Sequence, residues 1–163
     1  MTCAAVAITC KKQRLPKQEY VGLLIGAARR RIKQSVTARA EPQGLSSLQF
    51  WVLVLLHNSP GLSLGELAEK QRLEVPNASR VVGSLVKRRM VRLKRDPADR
   101  RRAQLELTPN GLALARKLQK AADDVRGAVV AGMSAEEVET FRSLLRRVLD
   151  NLEQLDSSMP ARR

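Results

Sequence analysis

Apolar residues recur three or four positions apart in four stretches of this chain, which is the spacing of one face of an α-helix. The first stretch predicts a helix over about residues 16–38, which the segment 41–44 breaks. Ser46 or Ser47 can cap a second helix that runs to His57. This second helix is apolar nearly all round, so we expect it to be central and covered on several sides.

The third and fourth helices are short and closely spaced. Ser63 with Glu66 three positions later forms a capping box, which predicts the start of the third helix. Pro76 stands in the opening turn of a fourth helix that reaches about residue 88. Its predicted buried stripe consists of Ala78, Val81, Val82, Leu85 and Val86.

The pattern then changes to a period of two, which is typical of half-buried β-strands. Val91 and Leu93 alternate with the cations Arg92 and Lys94. After a polar tip, the apolar positions of the second strand alternate in the same way, at Ala103, Leu105 and Leu107. The chain therefore predicts a small basic hairpin after the fourth helix.

Two long helices end the chain. A threonine cap followed by Pro109 opens the fifth helix, Gly132 ends it, and a capping box at Ser134 opens the sixth. The apolar stripes of the terminal helices exceed what the compact region between them needs, so we expect a second copy of the chain to cover them. The fold class is mainly α with a small two-stranded sheet. Residues 1–14 and 157–163 are interpreted as loose tails.

The charge balance indicates a polyanionic partner. Thirty Lys and Arg residues face 16 Asp and Glu, for a formal net charge of +14, while 44% of residues are hydrophobic and can form a core. The longest apolar run, residues 50–56, is far shorter than the roughly 20 residues of a membrane span. We therefore expect no membrane partner.

Two helices followed by a charged hairpin are typical of a winged helix-turn-helix that binds double-stranded DNA. The fourth helix begins with small or polar residues, which let the backbone approach base edges; Arg80 suits guanine and Asn77 suits adenine. The alternative is an ordinary surface helix with a solvated polar face. The full set of predicted DNA-binding residues is Ser63, Pro76, Asn77, Ser79, Arg80, Ser84, Lys87, Lys94, Arg95, Asp99, Arg100, Arg101 and Arg102.

The order and spacing of four motifs resemble the MarR family of dimeric winged-helix transcription regulators, over about residues 16–157. The resemblance implies a winged helix-turn-helix region at 46–108, with dimerisation helices at 15–45 and 109–156. It also implies that Arg101 probes the minor groove of a pseudo-palindromic operator with Asp99 as its support. The motifs are Leu67-Ala68-Glu69-Lys70, Pro76-Asn77-Ala78-Ser79-Arg80-Val81-Val82, Arg95-Asp96-Pro97-Ala98-Asp99-Arg100-Arg101 and Leu107-Thr108-Pro109-Asn110-Gly111.

The sequence departs from the family pattern at two turns, where Arg72 and Arg89 stand in place of the usual glycines. A non-glycine residue in left-handed backbone geometry costs about 1 kcal/mol. Either these turns relax, or the extra arginines compensate by contacting phosphate.

The resemblance further implies a pocket for a small anionic aromatic effector between the dimerisation helices and the DNA-binding region. Such an effector weakens DNA binding in many family members. The residues predicted to line the pocket are Tyr20, Leu24, Arg29, Trp51, Leu55 and His57. For His57 and Trp51, simple packing in the core is the competing interpretation.

The sequence also leaves two alternatives to a ligand-controlled repressor. Cys3 and Cys10 suggest a redox sensor of the same fold, and the charge alone would suit a non-specific architectural nucleic-acid binder. No Ser-His-Asp arrangement or phosphate-binding glycine loop points to an enzyme, and no cofactor is expected. One histidine and two cysteines near the N-terminus do not make a metal site. Those cysteine positions fit a reducing, cytoplasmic compartment.

Overall fold

A computed structural model describes residues 20–95 and 103–157 of the protein. In these ranges the chain forms six α-helices and one two-stranded antiparallel sheet, which confirms the mainly helical fold class. The helices are α1 (Val21–Ala40), α2 (Ser47–Asn58), α3 (Leu64–Lys70), α4 (Val75–Lys87), α5 (Pro109–Val129) and α6 (Ala135–Ser157), and the strands are β1 (Val91–Arg95) and β2 (Ala103–Leu107).

The predicted break after the first helix is confirmed. A 3-10 turn at Glu41–Gln43 follows α1 directly, and Gly44 closes it with a φ of 63° in the left-handed region that glycine tolerates best. The helix itself continues to Ala40, slightly beyond the predicted end at residue 38. Residues 16–19, where the prediction begins, lie outside the described part.

Helix α2 is the centre of the core, as its all-round apolar sequence predicts. Ser46 caps it through a complete capping box with Gln49. The helix packs against α1, α4 and α5, so a polar residue on most of its surface would be buried without water. Its buried residues are Phe50, Val52, Leu53, Val54 and Leu56.

Helices α3 and α4 form the predicted helix-turn-helix. The Ser63 capping box is present, with the Ser63 N–H donating to Glu66 Oε2 at 2.8 Å and the Glu66 N–H donating to Ser63 Oγ at 3.3 Å. Helix α4 begins at Val75, one residue before Pro76, and buries its apolar stripe against the core. The fully buried members of that stripe are Ala78, Val82 and Leu85.

The wing hairpin is attached to the helix-turn-helix by backbone hydrogen bonds. The Leu105 N–H donates to the Leu62 carbonyl at 2.8 Å, and Ser63 forms an isolated β-bridge with Gln104. Leu105 is buried, but its cross-strand partner Leu93 is 59% exposed. The predicted burial of β1 therefore applies to Val91 and not to Leu93, because β2 lies against residues 62–63 and β1 is the outer strand of the hairpin.

Long helices follow the wing. The Thr108 hydroxyl caps α5 by accepting from the Gly111 N–H at 3.1 Å, and it donates to the Arg89 carbonyl at 2.7 Å. Helix α5 ends at Val129, before the predicted stop at Gly132, which lies in the following turn with a φ of 81°. The predicted capping box at Ser134 opens α6, and no residue of α6 is buried in one protomer.

Arg72 and Arg89 occupy left-handed backbone conformations, with φ values of 49° and 54°. The turns have not relaxed, so each arginine carries the cost of that geometry. We expect Arg72→Gly to be about 1 kcal/mol more stable than Arg72→Ala in urea unfolding, because glycine accepts a positive φ. The same pair of substitutions at the exposed helical residue Arg116 should give the opposite order. If the glycine and alanine variants had the same order of stability at both positions, the result would contradict strain at Arg72.

Candidate nucleic-acid interface

The N-terminal half of α4 exposes the polar residues that the sequence predicts. Asn77, Ser79 and Arg80 are all exposed, while Ala78 between them is buried and fixes the helix against the core. Pro76 is exposed in the first turn, where its missing N–H removes no hydrogen bond within the helix. These side chains therefore project together from a rigid element.

The other predicted contact residues of the helix-turn-helix have different surroundings. Lys87 is exposed at the end of α4. Ser84 is half-buried at the contact between α2 and α4, where its hydroxyl donates to the Val81 carbonyl and accepts from the Gln49 side chain, both at 2.7 Å. Ser63 serves as the cap of α3, and its hydroxyl donates to Glu66.

The wing strands present a pair of cations beside one carboxylate. Lys94 Nζ lies 2.9 Å from Glu106 Oε1, and Arg92 Nη2 lies 2.8 Å from Glu106 Oε2. The hydrogen bonds from Lys94 and then Arg92 lower the pKa of Glu106 below its usual value. Arg92 was absent from the predicted set, although its place opposite Glu106 in the alternating pattern could have indicated it.

Several predicted residues lie outside the described part of the chain. These include the hairpin tip, with Asp99, Arg100, Arg101 and Arg102, and also Cys3 and Cys10. Arg95 is described only as the last residue of β1. The predictions for these side chains remain predictions.

Two side-chain anchors hold α4 against the rest of the domain. Arg88, just after the helix, donates to the carbonyls of Gly44 at 2.7 Å and Gln43 at 3.2 Å. Gln49 in the first turn of α2 donates to Ser84 Oγ. Both anchors connect α4 to the corner between α1 and α2, so the orientation of α4 depends on that corner.

A cleft of about 600 Å³ lies beside the same corner. Arg29 and Lys33 of α1 are its cations, and Trp51 of α2 forms part of its apolar wall. The rest of that apolar wall includes Ile25, Ile32, Leu48, Phe141 and Leu145.

Only two of the six predicted pocket residues, Arg29 and Trp51, line this cleft. The other four residues lie nearer the C-terminal end of α2 and the N-terminal end of α1, and their role in an effector pocket stays a prediction. Leu55 packs against the core and His57 lies in the last turn of α2, whereas the cleft adjoins the first turns of that helix. At the start of α1, Tyr20 and Leu24 are 68% and 48% exposed and do not belong to the lining.

Trp51 is held from two sides. Its ring makes an edge-to-face contact with Phe50 at 5.2 Å between centroids, and the Arg126 guanidinium lies 5.2 Å from its ring centroid. Asp123 in turn pairs with Arg126 at 3.3 Å. The indole therefore forms a fixed wall of the cleft.

Among the described helices, none combines the length and hydropathy that a bilayer span requires. Within residues 20–95 and 103–157, His, Cys, Asp and Glu side chains form no group of three suited to a metal ion.

Comparison with known proteins agrees with this architecture. The MarR family pattern matches residues 43–102, a range that includes α2, α3, α4 and β1. The HTH-type transcriptional repressor NicR of Pseudomonas putida is 30% identical over 133 residues, which are 82% of this chain and 84% of NicR. The chain belongs to the MarR family. The predicted resemblance is thus confirmed.

Solved structures place this MarR-family chain among winged-helix regulators. BpsR of Bordetella bronchiseptica, whose structure concerns regulation of its DNA binding by 6-hydroxynicotinic acid, is 26% identical with a TM-score of 0.69. The match covers 83% of this chain and 97% of BpsR. S. aureus MepR, solved with DNA, shares the fold with a TM-score of 0.72, 21% identity and coverage of 82% and 99%. The relatives are transcription regulators, and this MarR-family protein is a winged-helix DNA-binding regulator.

Proposed function

We propose that the protein is a homodimeric repressor that binds a pseudo-palindromic operator, with α4 in the major groove and the wing at the adjacent backbone and minor groove. The observation that carries this proposal is the joint exposure of Asn77, Ser79 and Arg80 on α4, beside the basic wing strands. The net charge of +14 adds a sequence-independent attraction to phosphate.

The proposed dimer is supported by the surface of α6. Although it has 23 residues, none is buried in the protomer, and five of its large apolar side chains are 38–57% exposed. A second copy of the same helix would remove this surface from water. Five such residues lie on this face: Phe141, Leu144, Leu149, Leu152 and Leu155.

Selection of bound sequences from random duplex DNA tests the proposed operator. We expect the selected duplexes to contain two inverted half-sites about one helical turn, ~34 Å, apart, because the two α4 helices are related by a two-fold axis. Recovery of unrelated sequences without a shared motif would instead support an architectural binder with no sequence preference.

Arg80 is expected to make a base contact. Arg80→Ala should weaken binding to the selected duplex by about 1–3 kcal/mol and relax the preference at one base position. An Arg80→Ala variant with unchanged affinity for the matched duplex would contradict a base contact. We infer the same base-contact role for Arg101.

Lys94 is expected to contact phosphate only. Lys94→Ala should therefore lower affinity for matched and scrambled duplexes alike. Gel shifts with both duplexes measure the losses of the Arg80 and Lys94 variants, and Arg116→Ala on α5 serves as the control.

We also infer that the cleft beside the α1–α2 corner binds a small aromatic carboxylate that weakens DNA binding. The apolar wall with Trp51 suits an aromatic ring, and Arg29 and Lys33 suit its carboxylate. BpsR supports this class of ligand, because 6-hydroxynicotinic acid regulates the DNA binding of that relative.

The single tryptophan offers a direct test of ligand binding. Titration with 6-hydroxynicotinic acid or benzoate should change Trp51 fluorescence and release the operator in the same concentration range. Arg29→Gln and Lys33→Gln should each weaken both responses by about tenfold, since each removes a charged partner worth roughly 1.5 kcal/mol. A fluorescence change that persists unaltered in both variants would place the ligand elsewhere.

A further inference from the structure

Glu106 is the only acidic residue in the two wing strands, and it holds two cations at once. Arg92 donates through Nε at 3.1 Å and Nη2 at 2.8 Å to Oε2, and Lys94 Nζ lies 2.9 Å from Oε1. Arg92 and Glu106 are direct cross-strand partners, and Lys94 lies two residues further along β1. We call Arg92, Lys94 and Glu106 the wing triad.

The cations of the wing triad face outwards and the carboxylate lies beneath them. The side chains of Arg92 and Lys94 are 63% and 56% exposed, whereas that of Glu106 is 22% exposed. Because the two cations lower the pKa of Glu106, it stays charged throughout the neutral range. The triad therefore presents one net positive charge instead of two.

The ion pairs of Glu106 contribute little to the stability of the hairpin. Solvent-exposed ion pairs contribute about 0–1 kcal/mol to folding. The effect on a nearby polyanion is larger, because a phosphate that approaches Arg92 or Lys94 competes with Glu106 for the same donors and is repelled by its charge. Each phosphate that a cation neutralises releases condensed counterions and so adds to affinity for any sequence.

We propose that Glu106 limits the sequence-independent attraction of the wing to DNA. This inference rests on the proposed function, which places the wing strands at the DNA backbone. By holding Arg92 and Lys94, Glu106 reduces the phosphate contribution to binding, so that a larger share of the affinity comes from the base contacts of α4. Glu106 would thus shape DNA recognition without contacting a base.

Glu106→Gln tests the proposal, because glutamine keeps the shape and removes the charge. One additional neutralised phosphate should raise affinity for a scrambled duplex by roughly five- to tenfold at 0.1 M salt. It should also steepen the slope of log K against log salt by about 0.9. Thermal unfolding of the variant verifies that it is folded.

The chain provides a matched control on α6. Glu139 also pairs with two arginines, Arg142 at 3.1 Å and Arg146 at 3.2 Å, and lies outside the helix-turn-helix and wing. Glu139→Gln changes the net charge of the protein by the same amount but away from the wing, so it should leave the affinity for scrambled DNA and the salt slope unchanged. Equal gains from both variants would mean that only the net charge of the protein matters, and would overturn the proposal.

A double variant locates the effect in the triad. Arg92→Gln combined with Glu106→Gln restores the net charge of the wing, so its affinity for scrambled DNA should return to the wild-type value. A Glu106→Gln variant that binds scrambled DNA no more tightly than wild type would overturn the inference alone, provided that wild type still prefers its selected duplex. If the wild-type protein shows no preference for its selected duplex, the result contradicts the proposed function itself.

Discussion

Gly111→Ala is expected to destabilise the protein by about 3 kcal/mol, a large part of the stability of a domain of this size. Gly111 lies in the first turn of α5, where the backbone of Met90 crosses it closely. A Cβ atom at this position would overlap the Met90 carbonyl oxygen and lie 2.8 Å from the carbonyl carbon. Both obstacles are backbone atoms between α4 and β1, so neither can move aside without displacing the wing.

Urea unfolding of Gly111→Ala measures the loss, and Gly127→Ala on the same helix is the control. Apart from its chain neighbours and the nearby backbone of its own helix, no atom of the described residues lies within 4 Å of a Cβ placed on Gly127. Alanine there should stabilise the protein by about 0.5–1 kcal/mol, because it has the higher helix propensity. A similar stability change in both variants would contradict the close approach at Met90.

The second large effect is expected from charges on the apolar face of α6. Leu144→Glu combined with Leu152→Glu should convert the protein to a monomer, because two carboxylates on each subunit would be buried at the proposed interface. Loss of the second half-site contact should lower operator affinity by roughly 10²- to 10⁴-fold. Analytical ultracentrifugation and gel shifts measure the two outcomes.

The fold of each protomer should survive these substitutions, since α6 buries no residue within one chain. Ser143→Glu combined with Gln154→Glu adds the same charge on the opposite face of α6 and should leave the dimer intact. A dimer that resists the leucine substitutions would place the subunit interface on other helices.

Local signals in the sequence were sufficient for most element boundaries. The capping boxes at Ser63 and Ser134 begin their helices where predicted, because the hydrogen bonds involve residues only three positions apart. The break at 41–44 is confirmed for a similar reason, since proline and glycine act through their own backbone geometry.

Contacts between distant residues were harder to predict. Helical spacing alone places Arg88 on the exposed side of the fourth helix, yet its guanidinium reaches the carbonyl of Gly44, far away in the sequence. The lining of the cleft could not be predicted, because the angle between α1 and α2 decides where a cleft opens and periodicity contains no information on that angle. Exposure of Leu93 likewise depends on which strand of the hairpin lies against residues 62–63.

Equilibrium binding to matched and scrambled duplexes, in the presence of excess competitor DNA, tests the central claim most directly. If α4 reads base edges, the wild-type protein should prefer its selected duplex by about a thousandfold or more, and Arg80→Ala should lose much of that preference. Equal affinity for the two duplexes at moderate salt, unaffected by Arg80→Ala, would contradict sequence-specific recognition through this helix.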